Sequence, residues 1–274
     1  MNEFLPSRYV EIIHRLALGI EPIDAQCRRR LSYAIQLKYD VEQLGLPRPE
    51  IDRHISNLFS LRYRPGVTTP VDIRAFDLSE NRYDPKYDRR RMVPRRLRIP
   101  ILSLTDVENQ ESIDRQQFRR RIRRPVFFPG AAYNFSFTST GLRGRVLRNN
   151  KPMRWARVVA RLAGQALVVG RAHGDDRGEF FLLINANAVT GSSFPDPFTL
   201  DVAVSGPTVV PVPNPPNQAD LDPLWDLPLE TLSAPGAADP VAAGETLPAT
   251  YGATTTQTIT FTLGRCIYRE FVIP

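Results

Sequence analysis

The chain has 274 residues, a formal net charge of +7 and a 42% apolar share, enough for real cores in two modules of about 100–150 residues. No apolar run approaches the ~18 residues of a transmembrane helix, so membrane insertion is not expected. Two cysteines, Cys27 and Cys266, are too few for a metal cluster, and 25 prolines against 16 glycines disfavour an all-helical chain.

In chain order, the opening residues carry Glu3, Arg8, Glu11 and Arg15. They lack the basic start and apolar run of a secretory signal, so synthesis in the cytoplasm with free thiols is expected. The stretch RYVEIIHRLALGI mixes helical and alternating spacing and is read as a strand. Alternation predicts further strands at Tyr33, Ile35, Leu37, Tyr39 and Val41, at Phe59, Leu61 and Tyr63, at Val71 and Ile73, and at Leu97, Ile99 and Ile101. Pro100 places the last of these at a sheet edge or at a strand end. One helix is expected, with Thr105 or Asp106 capping ENQESIDRQQFRRRI, acids early and arginines late. Strands resume at Phe135 and Phe137, at Phe198, Leu200, Val202 and Val204, and at Ile259, Phe261 and Leu263. The expected fold is all-β: two sandwich domains, 1–104 and 130–274, joined by an Arg-rich linker, 105–129.

Charge is unevenly placed. All but three of the 36 basic residues are arginine, the lysines being Lys38, Lys86 and Lys151. Residues 82–124 hold fourteen bases, including Arg89, Arg90, Arg91, Arg95, Arg96, Arg119, Arg120 and Arg121, against six acids. Residues 186–264 hold eight acids and no base. Such segments either dock on oppositely charged neighbours or neutralise each other within one subunit. The acidic half includes the Pro-rich insertion 206–252, expected to be a long polyproline-like arm. Leu221, Leu224, Trp225, Leu227 and Leu229 crowd within it. That apolar cluster is expected to be buried, either on its own domain or in a neighbour, with Trp225 as the anchor.

Residues 141–185 run as a strand through Gly144 and Val146, the turn Arg148-Asn149-Asn150-Lys151-Pro152, and a strand through Ala156–Ala160. A turn at Ala163-Gly164 and a strand through Val169 follow, and Gly174-Asp175-Asp176-Arg177-Gly178 then leads into Glu179–Leu183. This order resembles the carboxypeptidase regulatory-like, or transthyretin-like, β-sandwich, with a closing strand at 256–263. Asn150-Lys151-Pro152 stands where that family has glycine-x-proline, and His173 where threonine is common. The resemblance implies an accessory or interaction module without catalytic residues. In the N-terminal half, GIEPIDAQCRRRLSYAIQL resembles the opening of a related sandwich. RPGVTTPVDIRAFDLSENRYDP with MVPRRLRIPIL resembles small β proteins of phage-tail-like contractile injection particles. That implies a cap, adaptor or baseplate role, other subunits of one particle as partners in a ring or hetero-assembly, and release by lysis.

Candidate chemistry is sparse. His14, His54 and His173 make no metal-binding spacing, and no phosphate loop or nucleophile elbow surrounds Ser136, Ser192 or Ser193. Asp175, Asp176 and Glu179 offer oxygen ligands for calcium or a plain acidic turn. Cys27 adjoins Arg28, Arg29 and Arg30 but has no histidine partner in the sequence. The expectation is no enzyme, no cofactor and no metal, and a structural or adaptor subunit. Two alternatives stay open. The basic middle, with Tyr87, Phe118, Phe127 and Phe128, suits nucleic acid. Trp155 and Trp225 suit stacking on carbohydrate.

Overall fold

The computed structural model describes residues 15–40, 50–64, 66–77, 89–113, 115–136, 138–184 and 196–274. Strands dominate it, in the order β1 Leu16–Ile20, β2 Ile23–Asp24, β3 Gln36–Tyr39, β4 Asp52–Arg53, β5 Phe59–Arg62, β6 Val71–Phe76 and β7 Arg95–Ile99. Helix α1, Leu104–Ile113, and a 3₁₀ helix, Arg115–Arg121, lead to β8 Ile122–Arg123 and β9 Val126–Phe127. Then come β10 Gly141–Arg148, β11 Lys151–Pro152, β12 Arg157–Leu162, β13 Val168–His173, β14 Glu179–Leu183 and β15 Phe198–Pro207. After the short helix α2, Gln218–Leu221, the chain closes with β16 Leu229–Thr231, β17 Tyr251–Phe261 and β18 Cys266–Ile273. The all-β expectation holds in this coarse sense.

The N-terminal strands form a sheet in the order β4-β5-β1-β8 and, joined by β16 from the insertion, another in the order β16-β7-β6-β3. Their shared core includes Leu18, Ile20, Phe59 and Leu61 from the first and Leu37, Ile73, Leu97 and Ile99 from the second. In the C-terminal half, β10 pairs antiparallel with β11 and β14 on one side and parallel with β18 on the other. A second sheet runs β13-β12-β15-β17. Leu142, Val146, Phe180 and Phe271 from the first meet Val158, Ala160, Leu200, Val202 and Phe261 from the second. Alternation produces this core: β15 reads buried, half-buried, buried along its first six residues, as a strand with one face on a core must.

Local chemistry sets the boundaries. Asn149 and Asn150, at φ 51° and 60°, close the hairpin that pairs Arg148 with Lys151. Asparagine tolerates the left-handed region that a two-residue hairpin turn of this kind requires. Asp175 makes the next turn with its side chain, its Oδ1 accepting from the Arg177 and Glu179 amides at 2.8 and 2.9 Å.

Several expectations are corrected. The segment 105–129 is not a free linker, because β8 pairs with β1 and β9 with β2, weaving it into the N-terminal sheets. Helix α1 is capped by Ser103, not by Thr105 or Asp106. The Ser103 Oγ accepts from the Asp106 amide at 3.1 Å and donates to the Asp106 carboxylate at 2.6 Å. The helix stops at Ile113 and continues only as the 3₁₀ turn. Phe135 lies outside any strand, whereas Phe137, Val41 and the residues before Arg15 lie outside the described set. Tyr63 and Ile101 fall just beyond their strands, and Pro100 ends β7. The closing strand is longer than 256–263 and ends before Leu263, and β18 follows it. The insertion 206–252 is no free arm: β15 reaches Pro207, β17 starts at Tyr251, and β16 between them pairs parallel with β7.

Candidate functional site

The junction between the two halves is where the basic and acidic segments meet. Arg95 begins β7 and is fully buried, because β16 lies alongside it. Its Nε and Nη2 donate to the two carboxylate oxygens of Glu230 at 3.2 and 2.9 Å. Its Nη1 donates to the carbonyls of Val126 and Ala242 at 2.7 and 2.9 Å, and Nη2 also to that of Val241 at 2.7 Å. All five N–H donors are thereby used, the condition under which a buried guanidinium is tolerated. Glu230 also accepts from Arg157 Nη2 at 3.2 Å. Burial pushes its carboxyl up, but Arg95 and Arg157 outweigh that and hold it below the ordinary value.

Beside this network lies a small core of Phe76, Val93, Trp155, Leu224 and Leu227. The indole of Trp155 donates to Asp226 at 2.8 Å, and Arg154 donates to both oxygens of Asp226 at 2.7 Å. Trp155 is held at φ 61°, a conformation that is costly for a bulky residue and persists only where packing over-determines it. Its amide donates to the Asp175 carbonyl at 3.1 Å, and its own carbonyl accepts from Tyr251 Oη at 2.7 Å.

The residues singled out from the sequence divide into two groups. Arg90 donates to Asp175 at 3.1 Å and Asp176 at 2.9 Å, so the acidic turn considered for calcium holds an arginine instead. Among the described residues no group of acids, histidines or cysteines is placed to hold a metal ion. Arg91 takes both oxygens of Asp77 at 3.0 and 2.6 Å and covers the Tyr33 ring at 4.5 Å. Arg96 pairs with Asp40, and Arg121 is buried. Arg89, Arg119 and Arg120 are exposed. In the insertion, Leu224 and Leu227 are buried, Trp225 is half-buried and Leu221 is 75% exposed. Trp155, at 2% exposure, is closed to carbohydrate stacking.

Sequence reasoning missed Glu230, Arg157 and Asp226 as network members. A faint signal existed: Glu230 is an acid set among Leu227, Leu229 and Leu232 in a segment with no nearby base. Other features are surface ones. Cys27 and Cys266 are free and exposed. Among the described residues no helix is long and apolar enough to cross a membrane. Strand β17 is the last strand of its ladder and carries no charge over eleven residues, YGATTTQTITF.

No family model matches the chain, and no curated protein matches it either. Among solved structures, a 9R-lipoxygenase from Cyanothece PCC8801 is similar over 28% of this chain at 20% identity, with a TM-score of 0.22. The chain spans only 12% of that protein. Missing motifs do not by themselves exclude catalysis, so the expectation that the chain is not an enzyme is withdrawn. A match of this extent assigns no activity either.

Proposed function

We propose that this chain is a structural or adaptor subunit of a multi-protein assembly, of the kind the resemblance to contractile injection particles implies. On this reading its C-terminal half is a carboxypeptidase regulatory-like sandwich and its N-terminal half a related one. The observation that carries the proposal is β17. It is long, uncharged and at the edge of its sheet. Soluble proteins usually blunt such edges with lysine, proline or a covering loop, because unpaired amides and carbonyls template another strand. The side chains of Thr254, Thr256, Thr258 and Thr260 are exposed along it, and threonine favours pairing. The acids Asp222, Asp226 and Glu230 are engaged within the chain, so the docking proposed here runs through strand addition and not through the acidic insertion.

The test is association state by light scattering. The wild-type chain should self-associate or capture its neighbouring subunit, and Thr256→Lys should abolish that without lowering the melting temperature. A monomer at every salt concentration that also fails to join co-expressed neighbours overturns the reading. A second reading, nucleic-acid binding, rests on exposed Arg119 and Arg120 beside Phe118 at 41% exposure. It predicts oligonucleotide binding with a steep salt slope, which one filter-binding titration reads.

A further inference from the structure

We propose that the cleft between the outer face of β12–β13 and the loop 243–247 is a binding site for a small phosphate-class oxyanion.

The strand register assembles it. Val158, Ala160 and Ala172 point into the C-terminal core, so Arg157 and Arg161 on β12 take the opposite face. Arg157 pairs with His173 and Val159 with Arg171 across the ladder, which adds Arg171 and His173 to that face. Loop 244–247 roofs a cavity of about 130 Å³ whose walls include these three arginines, His173 and Ser205. A second cavity of about 130 Å³ shares Arg171 and adds Arg28. Glu245 is the one carboxylate among the residues lining either cavity.

The positive groups there are under-compensated. Among the described residues neither Arg161 nor Arg171 makes an ion pair. Asp201, opposite Arg161 on β15, is committed to Thr258 at 2.7 Å and to the Gly164 amide at 3.2 Å. Two buried polar atoms in the walls also have no hydrogen-bond partner: Nε of Arg157, a residue 3% exposed, and Nδ1 of His173, 2% exposed. Buried polar groups are normally satisfied, so these orphans leave the wall behind the cavity short of acceptors. Burial, with Arg28 and Arg161 nearby, holds the Arg171 guanidinium below its usual value, while Glu245 opposes that. An oxyanion relieves the repulsion. Forked guanidinium donors match tetrahedral oxygens, whereas a metal cation would meet Glu245 as its one carboxylate there.

Isothermal titration of the full chain tests this, with sodium phosphate, glycerol phosphate and, at matched ionic strength, sodium chloride. The proposal expects saturable phosphate binding. Arg171→Ala should weaken it by about tenfold or more, the scale of one lost charge-assisted hydrogen bond. Glu245→Gln should tighten it, a gain that misfolding cannot produce. Arg269→Ala, on the exposed strand β18, should leave it unchanged. Free phosphate is the ligand if it binds as tightly as glycerol phosphate, and a phosphoryl group on a larger molecule if the ester is tighter. Heats no greater than those with chloride, equal binding by Arg171→Ala, or no gain with Glu245→Gln would each overturn the assignment.

Discussion

Arg95 and Glu230 lie 135 positions apart, yet meet in a two-pronged pair in which every guanidinium donor is used. The contact joins the basic middle of the chain to its acidic insertion, and it exists because β16 runs parallel to β7 in the N-terminal sheet. Arg157, from the C-terminal half, closes the same carboxylate from another side. One acid thus ties both halves together.

Removing that acid alone is expected to be severe. Glu230→Ala leaves two buried guanidinium groups without their counter-charge, which typically costs about 3–5 kcal/mol. Chemical denaturation of the isolated chain measures it. In a double-mutant cycle with Arg95→Met, the combined loss should be smaller than the sum of the single losses.

Acid should unfold the chain in two stages. Burial, Arg157 and Arg95 hold His173 well below its ordinary value of 6.5, so the folded state favours the neutral ring. That contribution is present above pH 6.5 and is lost as pH falls through the window below it. Glu230 is also held low, so its contribution is present above its ordinary value of 4.5 and is lost only at still lower pH. His173→Phe, which keeps the stack on Phe128 at 3.9 Å between centroids, should remove the first stage and leave the second. Melting temperature against pH is the readout.

The apolar insertion should reveal its anchors by substitution. Leu224→Ala and Leu227→Ala each remove a buried side chain from the small core and should cost about 2–4 kcal/mol. Half-buried Trp225→Ala should cost less than about 1.5 kcal/mol in the isolated chain. Thermal melts that rank Trp225 above both leucines would contradict the packing described here.

The hairpin between β10 and β11 offers a local test. Asn150 sits at φ 60°, and an alanine there carries a left-handed penalty of roughly 1 kcal/mol relative to asparagine. Asn150→Gly should be neutral or slightly stabilising. Urea midpoints of the two variants should move in opposite directions or differ by that amount.

Much of the architecture was legible in the residues. The order of strands and turns from Gly141 to Leu183 was readable, because alternation, Asn-Asn and Asp-Asp-x-Gly act between near neighbours. Strand β18 was overlooked because Arg269 breaks the apolar row of Ile267, Phe271 and Ile273. The short β8 and β9 were hidden in a stretch whose dominant signal is arginine, since pairs of two residues leave no period to detect.

The sequence by itself determined that the chain is built from strands, where its main turns fall, and that a basic and an acidic segment coexist in it. Only the tertiary structure decided that those segments pair within the chain, with Glu230 between Arg95 and Arg157. It alone distinguished two tryptophans that look equivalent in the sequence, burying Trp155 against Leu224 and Leu227 and leaving Trp225 half-exposed. The physical reason is range. Strand periodicity and turn chemistry are set by residues one to four positions apart, whereas burial and ion pairing depend on which surfaces meet after loops of a hundred residues or more have closed.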